Sequence, residues 1–218
     1  MQRKPITWGY CRISTPYQSI YRQEHNILQV FPDAIIVKEV YTGSTMDREE
    51  LKKIIKKCLP GDRIAFDEVS RLSRESAGGF ALWKQLFDQG IDLVFLKQPH
   101  INTSVYREVL QNTIPLVGDD IDLILEGVNK YLMRLAEKQI KLAFEQAEKE
   151  LELLHFMASN PNKVFTREQL MYEVWGYDYP GDSRTVDVHI KRLREKVKGG
   201  DNWELQTVWG VGYKFEVK

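Results

Sequence analysis

Four short apolar runs, Ile6–Ile13, Ala34–Tyr41, Arg63–Phe66 and Leu93–Leu96, alternate with three amphipathic stretches near Tyr17–Val30, Arg48–Cys58 and Ala77–Asp88. The runs are rich in Val, Ile and Phe and read as buried strands, with helices between them. Gly90 stands where a C′ glycine ends the third helix. Strands separated by helices pair in parallel, so the spacing predicts an α/β fold with a mostly parallel sheet covered on both faces. Sheets of this kind place their functional groups at the carboxyl ends of the strands.

Tyr10-Cys11-Arg12-Ile13-Ser14 closes the first run, and Asp67-Glu68-Val69-Ser70-Arg71-Leu72-Ser73-Arg74 follows the third. Arg12 and Ser14, two apart on a strand, project to one side. A helical turn after Val69 would give Arg71 and Arg74 a shared face. One hydroxyl among fixed guanidiniums suits attack on a phosphodiester. Charge gathers on the non-bridging oxygens in the transition state, and Arg forks stabilise it. Taken singly, each of these residues reads more readily as capping or surface chemistry around a small α/β fold.

Over roughly residues 5–150 the chain resembles the catalytic domain of the serine recombinases, the resolvase/invertase family. Tyr10-x-Arg12-x-Ser14 is similar to its nucleophile motif. The resemblance implies that Ser14 attacks DNA and becomes a 5′-phosphoserine. Gln18 and Gln23 match polar residues after the nucleophile. Thr42-Gly43 and Asp47-Arg48-x-x-Leu51 resemble the next block, with Arg48 as a phosphate ligand. Lys57 and Gly61-Asp62 match residues before the third strand, and Arg71 and Arg74 the motif after it. One departure stands out: Ser70 occupies the place, directly before the first arginine, where many members carry Asp.

From Asp119 the character changes. Asp119-Asp120 offers an N-cap, and roughly forty residues then pass without proline, with Gly127 the sole glycine. At about 1.5 Å per residue that helix spans on the order of 60 Å, too long for one compact domain. Leu125, Val128, Leu132, Leu135, Ile140, Leu142 and Phe144 loosely follow helical spacing. A partly apolar helix of this length commonly finds a copy of itself. The family resemblance implies that it carries a dimer contact and crosses the DNA backbone.

Beyond about Glu150 the pattern differs. Leu151–Leu154 opens a helix that stops at Ser159-Asn160-Pro161. Thr166 and Gln169 spell a capping box for a second helix, and a third starts near Asp182-Ser183 after a turn at Pro180-Gly181. Leu205–Trp209 and Tyr213–Val217, joined through Gly210-Val211-Gly212, read as a hairpin. Three helices and a hairpin describe a winged helix-turn-helix.

The third helix places Val186, Ile190, Leu193 and Val197 on a core-facing stripe. From Arg184 to Lys198 six basic and two acidic residues give +4 on a neutral chain. Phe165–Leu170, Val174-Trp175-Gly176-Tyr177, Arg184–Ile190, Arg192-Leu193-Arg194 and Val208-x-Gly210-x-Gly212-Tyr213 resemble the OmpR/PhoB-type response-regulator DNA-binding domain. That resemblance implies base contacts from Thr185, Val188 and Arg192, and phosphate contacts from Arg184, Lys191 and Arg194. Trp209 holds the hairpin position that often presents an Arg to the minor groove. Neither the family's receiver domain nor its leading small sheet precedes this segment.

The chain therefore reads as a chimeric fusion: residues 1–118 a recombinase catalytic core, 119–150 a long dimerisation and connecting helix, 151–218 a winged-helix DNA reader. Equal counts of 31 basic and 31 acidic residues exclude a uniformly basic coat, so contact with double-stranded DNA must come from local patches. Cys11 and Cys58 are too few for a disulfide scaffold, and Cys11 reads as a buried small hydrophobe. No metal motif or cofactor is expected. No stretch of about 18 apolar residues suggests a membrane span, and a cytoplasmic protein is expected. A homodimer is expected, and a tetramer during strand exchange. The competing reading is a non-catalytic DNA-binding dimer whose recombinase half serves only to dimerise.

Overall fold

The computed structural model describes residues 3–13, 20–40, 48–112, 122–177, 179, 181–197 and 202–218. Ser14, Gln18, Thr42-Gly43, Asp47, Asp119-Asp120 and Pro180 lie outside the described residues. The chain divides into two compact units, the first ending at Glu145 and the second running from Gln146 to Lys218.

In the first unit, strands β1 (Thr7–Ile13), β2 (Ile35–Val40), β3 (Arg63–Phe66) and β4 (Asp92–Phe95) form one parallel sheet in the order β2-β1-β3-β4. Between them run helices α1 (Ile20–Val30), α2 (Glu49–Lys57) and α3 (Ser76–Asp88). The expected mostly parallel α/β architecture is what forms. Alternation along the strands separates the two faces: Cys11 and Ala65 pack under Ile27 of α1, while Tyr10, Phe66 and Phe95 stack on the other side. Gly90, at φ +75°, follows α3 as expected. Helix α4 (Thr103–Gln111) was not anticipated, although Val105, Tyr106, Val109 and Leu110 have helical spacing. Because β1 and β3 are neighbours with crossovers leaving in opposite directions, the sheet reverses its winding between their carboxyl ends. That is where an open α/β sheet leaves a crevice.

A 37-residue helix, α5 (Asp122–Ala158), follows. Within the first unit it packs tightly on α3: a Cβ on Gly79 would stand 2.5 Å from the Phe144 ring. Tyr106 donates to Glu137 at 3.0 Å, and Lys141 lies 4.7 Å over the Phe80 ring. Ile124, Val128, Tyr131, Leu132 and Leu135, all earlier in α5, remain exposed. No helix among the described residues is long and apolar enough to cross a membrane.

The second unit comprises the end of α5, then β5 (Val164–Thr166), α6 (Arg167–Trp175), α7 (Thr185–Lys196), β6 (Trp203–Val208) and β7 (Gly212–Val217). The three strands form an antiparallel sheet in the order β5-β7-β6. The expected hairpin is there, each strand somewhat longer than the sequence suggested. β5 is an addition to the three helices and hairpin that the sequence indicates. Its three residues pair with Lys214, Tyr213 and Gly212. Thr166 then caps α6: Gln169 N donates to Thr166 Oγ1 at 3.2 Å, and Thr166 N to Gln169 Oε1 at 2.9 Å. Leu153, Met157, Phe165, Leu170, Val186, Ile190, Leu193, Leu205 and Tyr213 share one core. This is a winged helix-turn-helix.

Candidate functional site

The first site lies where β1 and β3 end. Beyond Tyr10, β1 has no β3 residue left to pair with, because β3 stops at Phe66. Gln23 of α1 fills the open edge. Its Nε2 donates to Arg12 O at 3.0 Å, and its Oε1 accepts from Arg12 N at 3.1 Å. Gln23 therefore fixes the backbone from which Arg12 springs, and its carboxamide is occupied in doing so.

Arg12 is itself buried, and its Nη2 donates to Ser70 O at 2.9 Å. Arg71, at the end of a 3-10 turn over Val69–Arg71, reaches back with Nη1 to Arg12 O at 3.2 Å. Its Nη2 meets Glu68 Oε1 at 2.7 Å. Arg48, at the N-cap of α2, donates from Nη1 to Leu72 O. Burial, and then the charges of Arg74, Arg48 and Arg71, pushes the Arg12 guanidinium down to about 10, which leaves it protonated at neutral pH. Four guanidiniums thus crowd one strand end. The Nε atoms of Arg12 and Arg71 are buried without a hydrogen-bond partner among the described residues. An assembly of like charges with donors to spare is unfavourable alone and becomes favourable around an anion.

Acidic side chains frame the cluster. Glu39, paired in register with Arg12, accepts from Tyr10 Oη and from Glu50 N. Burial and that carboxylate push the Tyr10 phenol far up, so it stays protonated. Asp67 is buried between Asn26 Nδ2 at 2.7 Å and Lys97 Nζ at 2.8 Å. Neither carboxylate is marked by local sequence, because the partners each one meets lie far along the chain and are brought to it by the fold.

Two expected site residues belong elsewhere. Asp62 precedes β3, whereas Arg71 follows it, so they stand at opposite ends of that strand. The Asp62 carboxylate accepts from Ile6 N at 2.8 Å, from Leu59 N at 3.0 Å and from Arg3. Despite burial, these bonds hold it below the usual carboxylate range. It locks the turn into β3. Lys57, the last residue of α2, is exposed and also precedes β3. The structure brings together Arg12, Arg48, Arg71, Arg74 and Gln23, but neither Asp62 nor Lys57.

The second candidate surface is the open face of α7. The stripe Val186, Ile190 and Leu193 is buried, as its spacing predicts. Arg184, Val188 and Lys191 point to solvent with Thr185 half-buried beside them. Trp209 is 92% exposed at the turn of the hairpin. Two arginines expected on the free face are engaged otherwise. Arg194 donates from Nε and Nη2 to Leu205 O at 3.0 and 2.7 Å, and from Nη2 to Thr207 Oγ1 at 2.8 Å. It clamps α7 to β6. Arg192 donates to Gln146 Oε1 at 2.9 Å and lies 3.9 Å from Glu150 Oε1.

Glu150 is buried, bonded to Lys196 Nζ at 2.6 Å, and lies 3.8 Å from His189 Nδ1. Burial, then Arg192 and Lys196, pushes the His189 imidazole down to about 4. Asp187 anchors the other flank of the helix to Arg167 and Tyr213, each at 2.7 Å.

A parallel sheet with arginines converging at its winding reversal, and a winged helix with an open basic face, define a chain of two recognisable parts. Residues 7–141 match the resolvase N-terminal domain and residues 142–215 the C-terminal domain of transcriptional regulatory proteins. The chain belongs to the resolvase family and carries a response-regulator-type DNA-binding domain after it. It is similar to the transcriptional regulatory protein SrrA of Staphylococcus aureus, 63% identical over 73 residues, or 32% of this chain and 30% of that protein. It is also similar to the uncharacterized transcriptional regulatory protein YclJ of Bacillus subtilis, 60% identical over 68 residues, or 31% of this chain and 30% of that protein. The chain thus spans about 30% of the length of these relatives. Among solved structures, a resolvase family site-specific recombinase from Streptococcus pneumoniae is 17% identical, covering 62% of this chain and 93% of its own, at a TM-score of 0.36.

Proposed function

We propose that this chain is a site-specific serine recombinase module joined to a sequence-reading winged helix. The carrying observation is the convergence of Arg12, Arg48, Arg71 and Arg74 on the strand end that leads directly into Ser14. In this reading the Ser14 hydroxyl loses its proton and forms a bond to a backbone phosphorus. The bond from that phosphorus to the 3′ oxygen breaks, and the departing oxygen takes up a proton. The product is a 5′-phosphoserine and a free 3′ hydroxyl, and the reverse attack rejoins the strand. Arg12, Arg48, Arg71 and Arg74 hold the non-bridging oxygens, while Gln23 keeps Arg12 in place. Gln18 belongs to the same reading by resemblance.

Duplex DNA is read by the open face of α7. Arg184 and Lys191 meet phosphates and Val188 and Thr185 meet base edges, with Trp209 at the minor groove. The exposed stripe Ile124, Val128, Tyr131, Leu132 and Leu135 follows one helix face and supports pairing with a second copy of the chain.

A denaturing gel tests the reading. The full chain is incubated with a plasmid bearing inverted copies of a duplex selected by binding from a random pool. A covalent protein–DNA adduct that is lost in Ser14→Ala is expected. Tight binding with no adduct from the unaltered chain would leave a non-catalytic DNA-binding dimer instead.

A further inference from the structure

Position 70 is where this chain departs from the recombinase pattern: a serine stands directly before Arg71, where many members have a carboxylate. The structure shows what replaces it. Glu68, two residues earlier, is buried at 3% exposure beneath the 3-10 turn. Its Oε1 accepts from Arg71 Nη2 at 2.7 Å and from Ser70 Oγ at 2.6 Å. Ser70 O in turn accepts from Arg12 Nη2 at 2.9 Å. One carboxylate oxygen therefore binds both the arginine and the serine that displaced the usual acid, and the same serine carries Arg12. We propose that Glu68 is the positioning residue for Arg71, supplying from two residues upstream the carboxylate that position 70 lacks.

The inference rests on the phosphoryl-transfer reading for its consequence, and on the Glu68–Arg71 geometry for its substance. An arginine pinned at Nη1 by Arg12 O and at Nη2 by Glu68 has its fork direction set before DNA arrives. Without the carboxylate, Arg71 keeps one carbonyl contact, and repulsion from Arg12, Arg48 and Arg74 turns it outward. The 3-10 turn makes the substitution possible. Its tight winding brings the side chain of residue 68 under residue 71, three positions on, where an extended strand would send it away.

The test uses the full chain in three forms: unaltered, Glu68→Gln, and Glu68→Gln with Ser70→Asp. Adduct formation with the selected plasmid is expected to slow on the order of a hundredfold in Glu68→Gln, as for a misplaced catalytic group. DNA affinity is expected to stay unchanged. Restoring a carboxylate at position 70 is expected to recover most of the lost rate, which a merely structural loss would not allow. A Glu68→Gln rate equal to the unaltered one, or a double variant as slow as the single, overturns the proposal.

A second measurement does not depend on cleavage. Nitrogen-15 NMR of the unaltered chain should show hindered rotation of the Arg71 guanidinium, lost in Glu68→Gln and regained in the double variant. Free rotation of Arg71 in the unaltered chain overturns the proposal whatever the cleavage result. A held Arg71 without any adduct refutes the recombinase reading and leaves the positioning role standing.

Discussion

Arg194 separates two roles that composition alone would treat as one. A basic residue on a recognition helix is ordinarily assigned to DNA phosphates, yet here its guanidinium spans α7 and β6. Leu205 O receives two of its N–H groups and Thr207 Oγ1 a third, while the group lies 5.8 Å over the Tyr213 ring. Among the described residues β6 is an edge strand, with β7 on one side only, and Arg194 braces it. The acceptors are neutral and the side chain is partly in water, so each bond is worth about 0.5 kcal/mol. Removing the guanidinium in Arg194→Met should cost the winged-helix unit about 1–2 kcal/mol, including the ring contact. For a unit of this size the melting temperature should fall by roughly 4–8 °C per kcal/mol.

The control is Lys191→Met, on the open face, which should leave melting unchanged. Affinity for the selected duplex is then measured across a potassium chloride series. A phosphate contact contributes a slope of about −0.9 per charge, so Lys191→Met should flatten the salt dependence by about one. Arg194→Met should leave that slope alone. The reasoning is refuted by the reverse pattern, in which Arg194→Met melts normally and loses a unit of salt slope.

Two further outcomes follow from the same unit. The His189 imidazole has a pKa of about 4 when folded and 6.5 otherwise, so the unfolded chain takes up more protons between those values. Stability should be complete above about pH 6.5 and decline towards pH 4, by less than the roughly 3 kcal/mol of the bare shift because Glu150 faces the ring. Urea unfolding of His189→Gln should show a flatter profile, and a flat profile in the unaltered chain would contradict the assignment. Gly212→Ala places a Cβ 2.0 Å from Phe165 O and 2.9 Å from Thr166 Cα, both of them backbone. β5 must then leave β7, costing about 2–4 kcal/mol by urea unfolding, and a loss under 1 kcal/mol would show that the strand yields freely.

Much of the architecture is legible in the residues themselves. The strand runs, the helices between them, the Thr166–Gln169 cap and the buried stripe of α7 are all local patterns. Strand and helix periods act over a few residues, so the residues record them directly. Arg12, Arg71 and Arg74 are legible as a group through motifs placed at strand ends, and Arg48 joins them only through the family resemblance.

Other features were decided only in three dimensions. Chain order puts Asp62 near Arg71, but β3 lies between them and carries them to opposite ends of the strand. Helical spacing puts Arg192 and Arg194 beside Lys191, yet neighbours far along the chain capture them: Gln146 and Glu150 for Arg192, Leu205 and Thr207 for Arg194. Position 70 lacks a carboxylate, and it is the 3-10 turn that brings Glu68 to Arg71. Periodicity states which face a residue occupies. What that face meets depends on register and packing between distant segments, and only the folded chain settles those.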